Sequence, residues 1–172
     1  HFGLNTMTGQ EWGSGQENPR VFNPTNLVAA DWVSAAESFN AKALILVCKH
    51  HDGFCLWPSA FTDYSVKASP WRDGKGDLVQ EVSDACHKAG VGFGIYLSPS
   101  DLHEPSFGRD HQKYNDYFCN QLRELLTQYG PIALLWFDTP LVITRAQVDE
   151  MVALIRRCLD LTLADARREG WL

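Results

Sequence analysis

Hydrophobic runs with the composition of β-strands alternate along the chain with segments whose apolar residues recur at helical spacing. The strand-like runs are Phe2 to Asn5, Ala43 to Lys49, Val91 to Ser98 and Ile132 to Asp138. These runs are apolar on both faces and each is followed by a helical segment, which is typical of a parallel sheet covered by helices. The pattern therefore predicts an α/β fold with about four βα units.

The helix between the second and third strands has the clearest signals. Its apolar residues between positions 78 and 89 fall on one face, and Asp77 with Gln80 matches a capping box at its start. Gly90 supplies the stop. The other helices are predicted from about Asp31 to Phe39, from about Asp110 to Tyr129 with Gly130 closing it, and from about Thr144 to Cys158.

A parallel sheet of this kind is either doubly wound or closed into a (β/α)8 barrel, and four units cannot close a barrel of eight strands. A complete barrel takes about 250 residues, whereas this chain has 172. Under the barrel interpretation residues 1–172 are one partial domain, the N-terminal portion of the barrel. Its strand edges would lack partners, and a homo-oligomer could form through them.

Composition and charge exclude several classes of protein. The chain is 45% hydrophobic and 12% aromatic, the profile of a globular protein. The net charge is -6 and no stripe of Lys and Arg is present, which argues against nucleic acid as a partner. No apolar run approaches the roughly 20 residues that span a bilayer, so no membrane insertion is expected.

The cysteines are odd in number and widely spaced, without CxxC pairs, so neither a zinc site nor a disulfide framework is indicated. We expect most of them to be small core residues. The chain begins at His1 without a signal peptide, and this leaves its compartment open. The five cysteines are Cys48, Cys55, Cys86, Cys119 and Cys158.

Polar residues gather at the points where predicted strands end. In parallel α/β folds the carboxyl ends of the strands carry the active site, because loops and helix N-termini converge there. We therefore expect a polar ligand at this end of the sheet. The residues concerned are His1 and Asn5, Lys49 to Asp52, Tyr96 with Ser98, and Asp138.

Two adjacent imidazoles, His50 and His51, leave a predicted buried strand. They could recognise hydroxyl groups, or with Asp138 they could bind a metal in a metal-dependent hydrolase. Further ligands with zinc-like spacing are lacking, which favours hydroxyl recognition without a metal. Asp138 follows another predicted buried strand, where an unpaired carboxylate is costly unless function uses it.

Aromatic residues in the loops are further candidates. In the Gly-rich loop after the first run, Glu11 can accept hydrogen bonds from hydroxyls and Trp12 can stack on the C–H face of a sugar. Trp57 and Trp71 lie in the long second loop, where packing and ligand contact both stay open.

Taken together, the motifs resemble the α-L-fucosidases of glycoside hydrolase family 29 over about residues 1–158. They occur in the order found in that family. The matching segments are His1-Phe2-Gly3, Glu11-Trp12-Gly13, Phe22-Asn23-Pro24, Lys49-His50-His51-Asp52-Gly53-Phe54, Gly94-Ile95-Tyr96-Leu97-Ser98 and Trp136-Phe137-Asp138.

The resemblance implies a retaining exo-glycosidase with a (β/α)8 barrel that hydrolyses terminal α-L-fucosides of glycans or small fucosides without a cofactor. It implies that Asp138 is the nucleophile of a covalent glycosyl-enzyme intermediate. Family members are often secreted, periplasmic or lysosomal. The residues implied in substrate binding are His1, His50, His51 and Tyr96 at the fucose hydroxyls or the reacting carboxylate, Glu11 and Trp12 along the pocket, and Trp57 at the methyl side of the sugar.

Retention also requires a second carboxyl group, which the family supplies from a loop beyond the nucleophile strand. The acids after Asp138 lie in predicted helical or tail context and match no acid/base motif, and the βα rhythm breaks near Asp160. We therefore expect a partial domain with impaired turnover. The alternatives are a truncated, non-catalytic relative that binds fucose or another carbohydrate, and an unstable piece without activity. The acids concerned are Asp149, Glu150, Asp160, Asp165 and Glu169.

Overall fold

The computed structural model describes residues 2–138 and, beyond them, Asp149, Val152, Ala153, Arg156 and Arg168. Within these residues three parallel strands form one sheet in the order β1, β2, β3. The strands are β1 (Ala43–Lys49), β2 (Gly92–Leu97) and β3 (Leu134–Trp136). The predicted parallel α/β class is confirmed.

The α-helices are α1 (Leu4–Thr8), α2 (Ala29–Ser38), α3 (Leu78–Ala89) and α4 (His111–Gln128). Short 3-10 helices occupy Pro19–Val21, Val66–Ala68 and Trp71–Gly74. Helices α2, α3 and α4 confirm the predicted helices in these regions to within about two residues. Of the helix predicted from Thr144 to Cys158 only four residues are described, and all four are helical.

Local signals set the ends of α3. The Asp77 carboxylate accepts a hydrogen bond from the Gln80 N–H at 2.9 Å, and Gly90 ends the helix at φ 69°. A capping box has a second hydrogen bond, from the Asp77 backbone N–H to the Gln80 side chain, and this part of the prediction is wrong. The Gln80 side-chain amide donates to Asp84 at 2.8 Å instead. The second oxygen of Asp77 accepts from the Tyr129 hydroxyl at 2.9 Å, so the cap also joins the start of α3 to the end of α4.

The first predicted strand, Phe2 to Asn5, is not a strand. The Gly3 N–H donates to the Thr6 hydroxyl, which starts helix α1 at Leu4. The Phe2 ring instead packs edge-on against Phe22 and Trp32 at 5.9 and 5.1 Å. The apolar run therefore contributes to the core rather than to the sheet, and the expected four strands become three in the described chain.

The strand predicted from Ile132 to Asp138 is shorter and less buried than expected. Only Leu134–Trp136 are in β3, and Leu134 and Trp136 are 41% and 51% exposed. The reason is position: among the described residues β3 pairs only with β2 and forms the edge of the sheet.

The core lies between the sheet and the helices. Four cysteines, Cys48, Cys55, Cys86 and Cys119, are buried free thiols, which confirms the prediction for these four; Cys158 lies outside the described residues.

No helix in the described part of the chain is long and apolar enough to span a bilayer.

An ion pair between Lys49 and Asp101 is fully buried in this core. The Lys49 ammonium donates to the Asp101 carboxylate at 2.9 Å and to the Gln121 side-chain oxygen at 2.8 Å, and neither charged side chain is exposed. The other Asp101 oxygen accepts from the backbone N–H groups of His103 and Glu104 at 3.0 and 2.9 Å. The pair therefore joins the end of β1 to the loop after β2.

The charges of this pair stabilise each other. Burial by itself raises the pKa of Asp101, but the Lys49 ammonium and the hydrogen bonds outweigh it, so the pKa lies below its usual value. Asp101 is thus a carboxylate at neutral pH.

Replacing Lys49 by Met should destabilise the fold by about 3–5 kcal/mol, because the Asp101 carboxylate would remain buried without its cation. Urea denaturation followed by circular dichroism measures the change in the free energy of unfolding. Lys88→Met, at an exposed position of α3, is the matched control and should change it by less than about 0.5 kcal/mol. Equal losses in the two variants would contradict the importance of the ion pair.

Candidate active site

The carboxyl ends of all three strands supply polar side chains to one place. His50 and His51 follow β1, Tyr96 lies near the end of β2, and Asp138 lies two residues after β3. The register of β1 against β2 shifts between Val47 and Lys49, so β1 has one extra residue at its end. Such a bulge redirects the side chains that follow it, which here include both imidazoles.

Asp138 is held through one carboxylate oxygen. The Tyr96 hydroxyl donates to Oδ2 at 2.8 Å, and His51 Nε2 lies 3.8 Å from the same oxygen. The Asp138 side chain is 35% exposed. No hydrogen bond from a described residue reaches its Oδ1. Tyr96 thus positions one oxygen of Asp138, and the other accepts from none of the described residues.

The hydrogen bonds of Ser98 determine the tautomer of His51. Ser98 Oγ lies 2.6 Å from His51 Nδ1 and 2.8 Å from the Ser100 carbonyl oxygen. A hydroxyl has one hydrogen to donate and a carbonyl can only accept, so the Ser98 hydrogen is directed at Ser100. His51 Nδ1 must then carry a hydrogen and donate it to Ser98. In the neutral ring this leaves Nε2 as an acceptor, facing Asp138.

The protonation states follow from burial. Burial, and to a smaller degree His51, lower the pKa of His50 to about 4, while Asp138 opposes the shift. Burial also lowers the pKa of His51, again against Asp138. Both rings are therefore neutral near pH 7, and the contact between His51 and Asp138 is not an ion pair. Burial and the bond to Asp138 raise the pKa of Tyr96, which remains a phenol that can donate.

Five aromatic rings form a continuous cluster across the site. Trp12 stacks on His51 at 4.5 Å with 16° between the planes, and His51 contacts His50 at 4.3 Å. His50 in turn faces Tyr96 at 6.2 Å, and Tyr96 meets the edge of Trp136 at 5.8 Å. Trp12 and Trp136, at the two ends, are 60% and 51% exposed. Their indole faces are available to the apolar surface of a ligand.

Asp52, directly after the imidazoles, is a turn residue. It is buried and accepts from the Phe54 N–H at 2.8 Å, and burial raises its pKa to about 6. Gly13 packs against it so closely that a Cβ atom there would lie 2.6 Å from the Asp52 Cβ. The loop that carries Trp12 is therefore fitted onto the turn that carries His51.

The structure brings together five of the eight residues predicted for the site: Trp12, His50, His51, Tyr96 and Asp138. His1 lies outside the described residues. Glu11 is exposed in the same loop as Trp12, and among the described residues no hydrogen bond or ion pair engages its carboxylate.

The position of Trp57 differs from the prediction that this residue faces a sugar. It is 1% exposed, and its indole N–H donates to Glu124 of α4 at 2.9 Å. Glu124 also accepts from the Ser59 hydroxyl and the Ala60 N–H, both at 2.8 Å. Trp57 is therefore a core residue that fixes the second loop on α4.

Two residues of the site were not predicted as site residues, Ser98 and Trp136. Each lies two positions from a predicted one along a strand, Ser98 after Tyr96 and Trp136 before Asp138. Successive side chains of a strand alternate between its two faces, so residues two positions apart lie on the same face. The positions of Tyr96 and Asp138 could therefore have indicated Ser98 and Trp136. Ser98 was noted at a strand end, but its role depends on a contact with His51 that spacing does not show.

The metal-dependent alternative gains no support from the site. The described part of the chain contains no group of three His, Cys, Asp or Glu side chains that could hold a metal ion. His51 Nδ1 is bonded to Ser98, which leaves only Nε2 of that ring for a ligand.

A carboxylate at the carboxyl end of a parallel strand, beside side chains that can bind hydroxyl groups, fits the glycoside hydrolases built on (β/α)8 barrels, which place their catalytic carboxyl groups at that end. Comparison with known proteins specifies the family. The family model for α-L-fucosidase matches residues 6–164. The chain therefore belongs to the α-L-fucosidase family, and its three parallel strands are part of the barrel of that fold.

Two curated relatives show how much of the family's length is present. The chain is 53% identical to α-L-fucosidase 1 of Arabidopsis thaliana over 138 residues, which are 80% of this chain and 27% of that protein. It is 31% identical to tissue α-L-fucosidase of Bos taurus over 128 residues, 69% of this chain and 25% of that one. The chain thus spans about a quarter of the length of these relatives.

Solved structures share the fold. A glycoside hydrolase 29 family member from an unknown rumen bacterium superposes with a TM-score of 0.84 at 44% identity, covering 92% of this chain and 31% of that one. The α-L-fucosidase AlfC from Lactobacillus casei, in complex with α-L-fucose product, gives a TM-score of 0.69 at 28% identity, covering 81% and 51%.

The tautomer of His51 is testable in the folded chain. Ring ¹⁵N chemical shifts at pH 7 should show Nδ1 protonated and Nε2 unprotonated. Ser98→Ala removes the acceptor and should move the ring toward a mixture of tautomers. Ser69→Ala is the matched control, because that buried hydroxyl donates to the Val66 carbonyl. A wild-type ring protonated mainly on Nε2, or one that Ser98→Ala leaves unchanged, would contradict the assignment.

Proposed function

We propose that the chain carries the nucleophile half of a retaining α-L-fucosidase site, which removes terminal α-L-fucosyl residues from glycans or small fucosides with Asp138 as nucleophile. Family membership supports the fucoside as substrate. The observation that carries the role of Asp138 is its geometry: Oδ2 is fixed by Tyr96 at 2.8 Å while the side chain stays partly exposed at the mouth of the sheet.

In the first step of the proposed reaction Asp138 Oδ1 bonds to the anomeric carbon as the bond to the leaving oxygen breaks. A carboxylic acid protonates that oxygen. Water then attacks the same carbon and gives its proton to the carboxylate that the acid has become, while the bond to Asp138 breaks and both carboxyl groups return to their starting states, so two inversions give retention. The chemistry requires no cofactor.

The described residues suit the binding of a fucosyl ring. His51 Nε2 is an acceptor and can take a hydrogen from a sugar hydroxyl, because Ser98 occupies Nδ1. Trp12 and Trp136 offer apolar faces to the C–H groups and the methyl group. We propose contacts with the sugar for His50 and Tyr96 as well, and for His1 and Glu11 by family resemblance.

The assignment of Asp138 is tested by hydrolysis of an aryl α-L-fucoside with a good leaving group, which needs the least help from a general acid. Asp138→Ala should lower kcat by roughly 10⁴-fold or more. Asp84→Ala, which removes an exposed carboxylate of α3, should leave the rate unchanged. Circular dichroism must show that all three proteins are folded.

Azide provides a second test of the same role. In Asp138→Gly the small anion can occupy the space of the lost carboxylate, and it should restore turnover and give a fucosyl azide of inverted configuration. Hydrolysis by Asp138→Ala at the wild-type rate would refute the nucleophile. A folded wild-type chain that binds methyl α-L-fucoside without hydrolysing the aryl fucoside would identify a binding-only relative.

A further inference from the structure

The loop that carries Trp12 comprises residues 10–17 and includes two glycines, Gly13 and Gly15. Trp12 stacks on His51 at 4.5 Å but is 60% exposed, so burial in the core does not hold it in place. Glycine adopts a wider range of backbone conformations than any other residue, so a segment with two glycines does not keep one conformation by itself. Other groups must fix this loop for the stack to persist.

The Glu17 carboxylate, at the end of the loop, accepts hydrogen bonds at both of its oxygens. Oε1 accepts from the backbone N–H and from the hydroxyl of Ser14, the latter at 2.8 Å. Oε2 accepts from the Gly15 N–H at 2.9 Å and from the Tyr64 hydroxyl at 3.2 Å. One side chain thus binds the backbone two and three residues after Trp12.

These bonds require a carboxylate at position 17. Burial by itself raises the pKa of Glu17, but the hydrogen bonds from Ser14 and Tyr64 outweigh it and lower the pKa to about 2. An ionised carboxylate accepts at both oxygens, whereas an amide of the same shape accepts at its oxygen and donates from its nitrogen. Hydrogen bonds to a charged acceptor are also about twice as strong as those between neutral groups. Glu17 is therefore charged at neutral pH and suited to fix several donors at once.

A second set of contacts holds the other side of Gly15. Tyr64, whose hydroxyl donates to Glu17, stacks its ring on His103 at 3.9 Å with 10° between the planes. His103 Nδ1 lies 2.7 Å from the Gly15 carbonyl oxygen and donates to it, because a carbonyl can only accept. The N–H of Gly15 is thus bonded to Glu17 and its carbonyl to His103.

Close packing extends this constraint to Trp12. Gly13, directly after Trp12, lies so near Asp52 that an added Cβ atom would be 2.6 Å from the Asp52 Cβ. The next N–H along the chain, that of Ser14, is one of those that donate to Glu17. The peptide between Gly13 and Ser14 is therefore fixed at both of its ends. It sets the backbone from which the indole reaches the imidazole.

We propose that Glu17 is a positioning residue of the fucosyl site, whose carboxylate holds the loop 10–17 so that Trp12 stays stacked on His51. Glu17 acts through the loop, and Trp12 offers its apolar face to the sugar. The inference rests on the proposed function, because it takes a fucosyl ring to bind beside Trp12 and Asp138.

The first part of the test observes the stack in the folded 172-residue chain without a sugar. An indole face shields the protons above it, so the ring-proton NMR signals of His51 should lie upfield of their positions in Trp12→Leu. Glu17→Gln keeps the shape of the side chain but turns an NH2 group toward a backbone N–H, and it should move these signals to the Trp12→Leu positions. Glu37→Gln, at an exposed position of α2, is the matched control and should leave them in place.

A second variant tests the proposal even where Glu17→Gln does not fold. Ser14→Ala combined with Tyr64→Phe keeps the carboxylate and its backbone bonds and removes the two hydroxyl groups that donate to it. It should move the His51 signals part of the way. Signals at the wild-type positions in folded Glu17→Gln, or in this double variant where Glu17→Gln is unfolded, would overturn the proposal.

The second part measures binding of methyl α-L-fucoside to the chain carrying Asp138→Ala. Glu17→Gln should weaken binding by about tenfold and by no more than Trp12→Leu does. The two changes combined should weaken it no more than Trp12→Leu alone, because both act through one contact. Further weakening in the combined variant would contradict action through Trp12. Loss of the His51 shift in a chain that binds no fucoside would support the positioning of Trp12 and overturn the proposed function alone.

Discussion

The buried ion pair of Lys49 and Asp101 holds the end of β1 against the loop after β2, at the mouth of the sheet. Burying two charges is costly unless nearly every polar atom finds a partner. Here Lys49 donates to Asp101 and Gln121, while Asp101 accepts from Lys49, Tyr117 and two backbone N–H groups. Lys49 directly precedes the two imidazoles, and Asp101 lies in the loop after β2. The ion pair therefore anchors the end of β1, from which His50 and His51 reach the proposed fucosyl site.

Glycines make the same region compact. Gly53 has φ 85°, and a side chain there would overlap the Asp101 carboxylate and the His103 side chain. Gly13 leaves room for Asp52 in the same way. The three loops thus approach one another more closely than side chains would permit, and this closeness allows Trp12 to stack on His51. Close contact between the loops, in addition to the strands, therefore positions the side chains of the site.

The sequence predicted those features that local signals specify. Asp77 and Gly90 mark the ends of α3, and Ala43 to Lys49 has the length and composition of a buried strand. Contacts between distant segments were out of reach of this reasoning. The buried Trp57 indole donates to Glu124, which lies 67 positions later in the chain. The buried Lys49 ammonium is paired with Asp101, which lies 52 positions later. Likewise Phe2 to Asn5 has the polarity of a strand, but the Gly3 to Thr6 bond starts a helix there.

The neutral state of the imidazoles has a consequence for the proposed chemistry. The transition state of glycoside hydrolysis develops positive charge on the sugar ring, and an imidazolium beside it would oppose that charge, whereas a carboxylate stabilises it. Burial lowers the pKa of both His50 and His51 although Asp138 acts in the opposite direction. It also keeps Tyr96 protonated, so that Tyr96 holds Asp138 without adding charge. In the proposed reaction the anomeric centre therefore meets Asp138 without an opposing charge on His50 or His51.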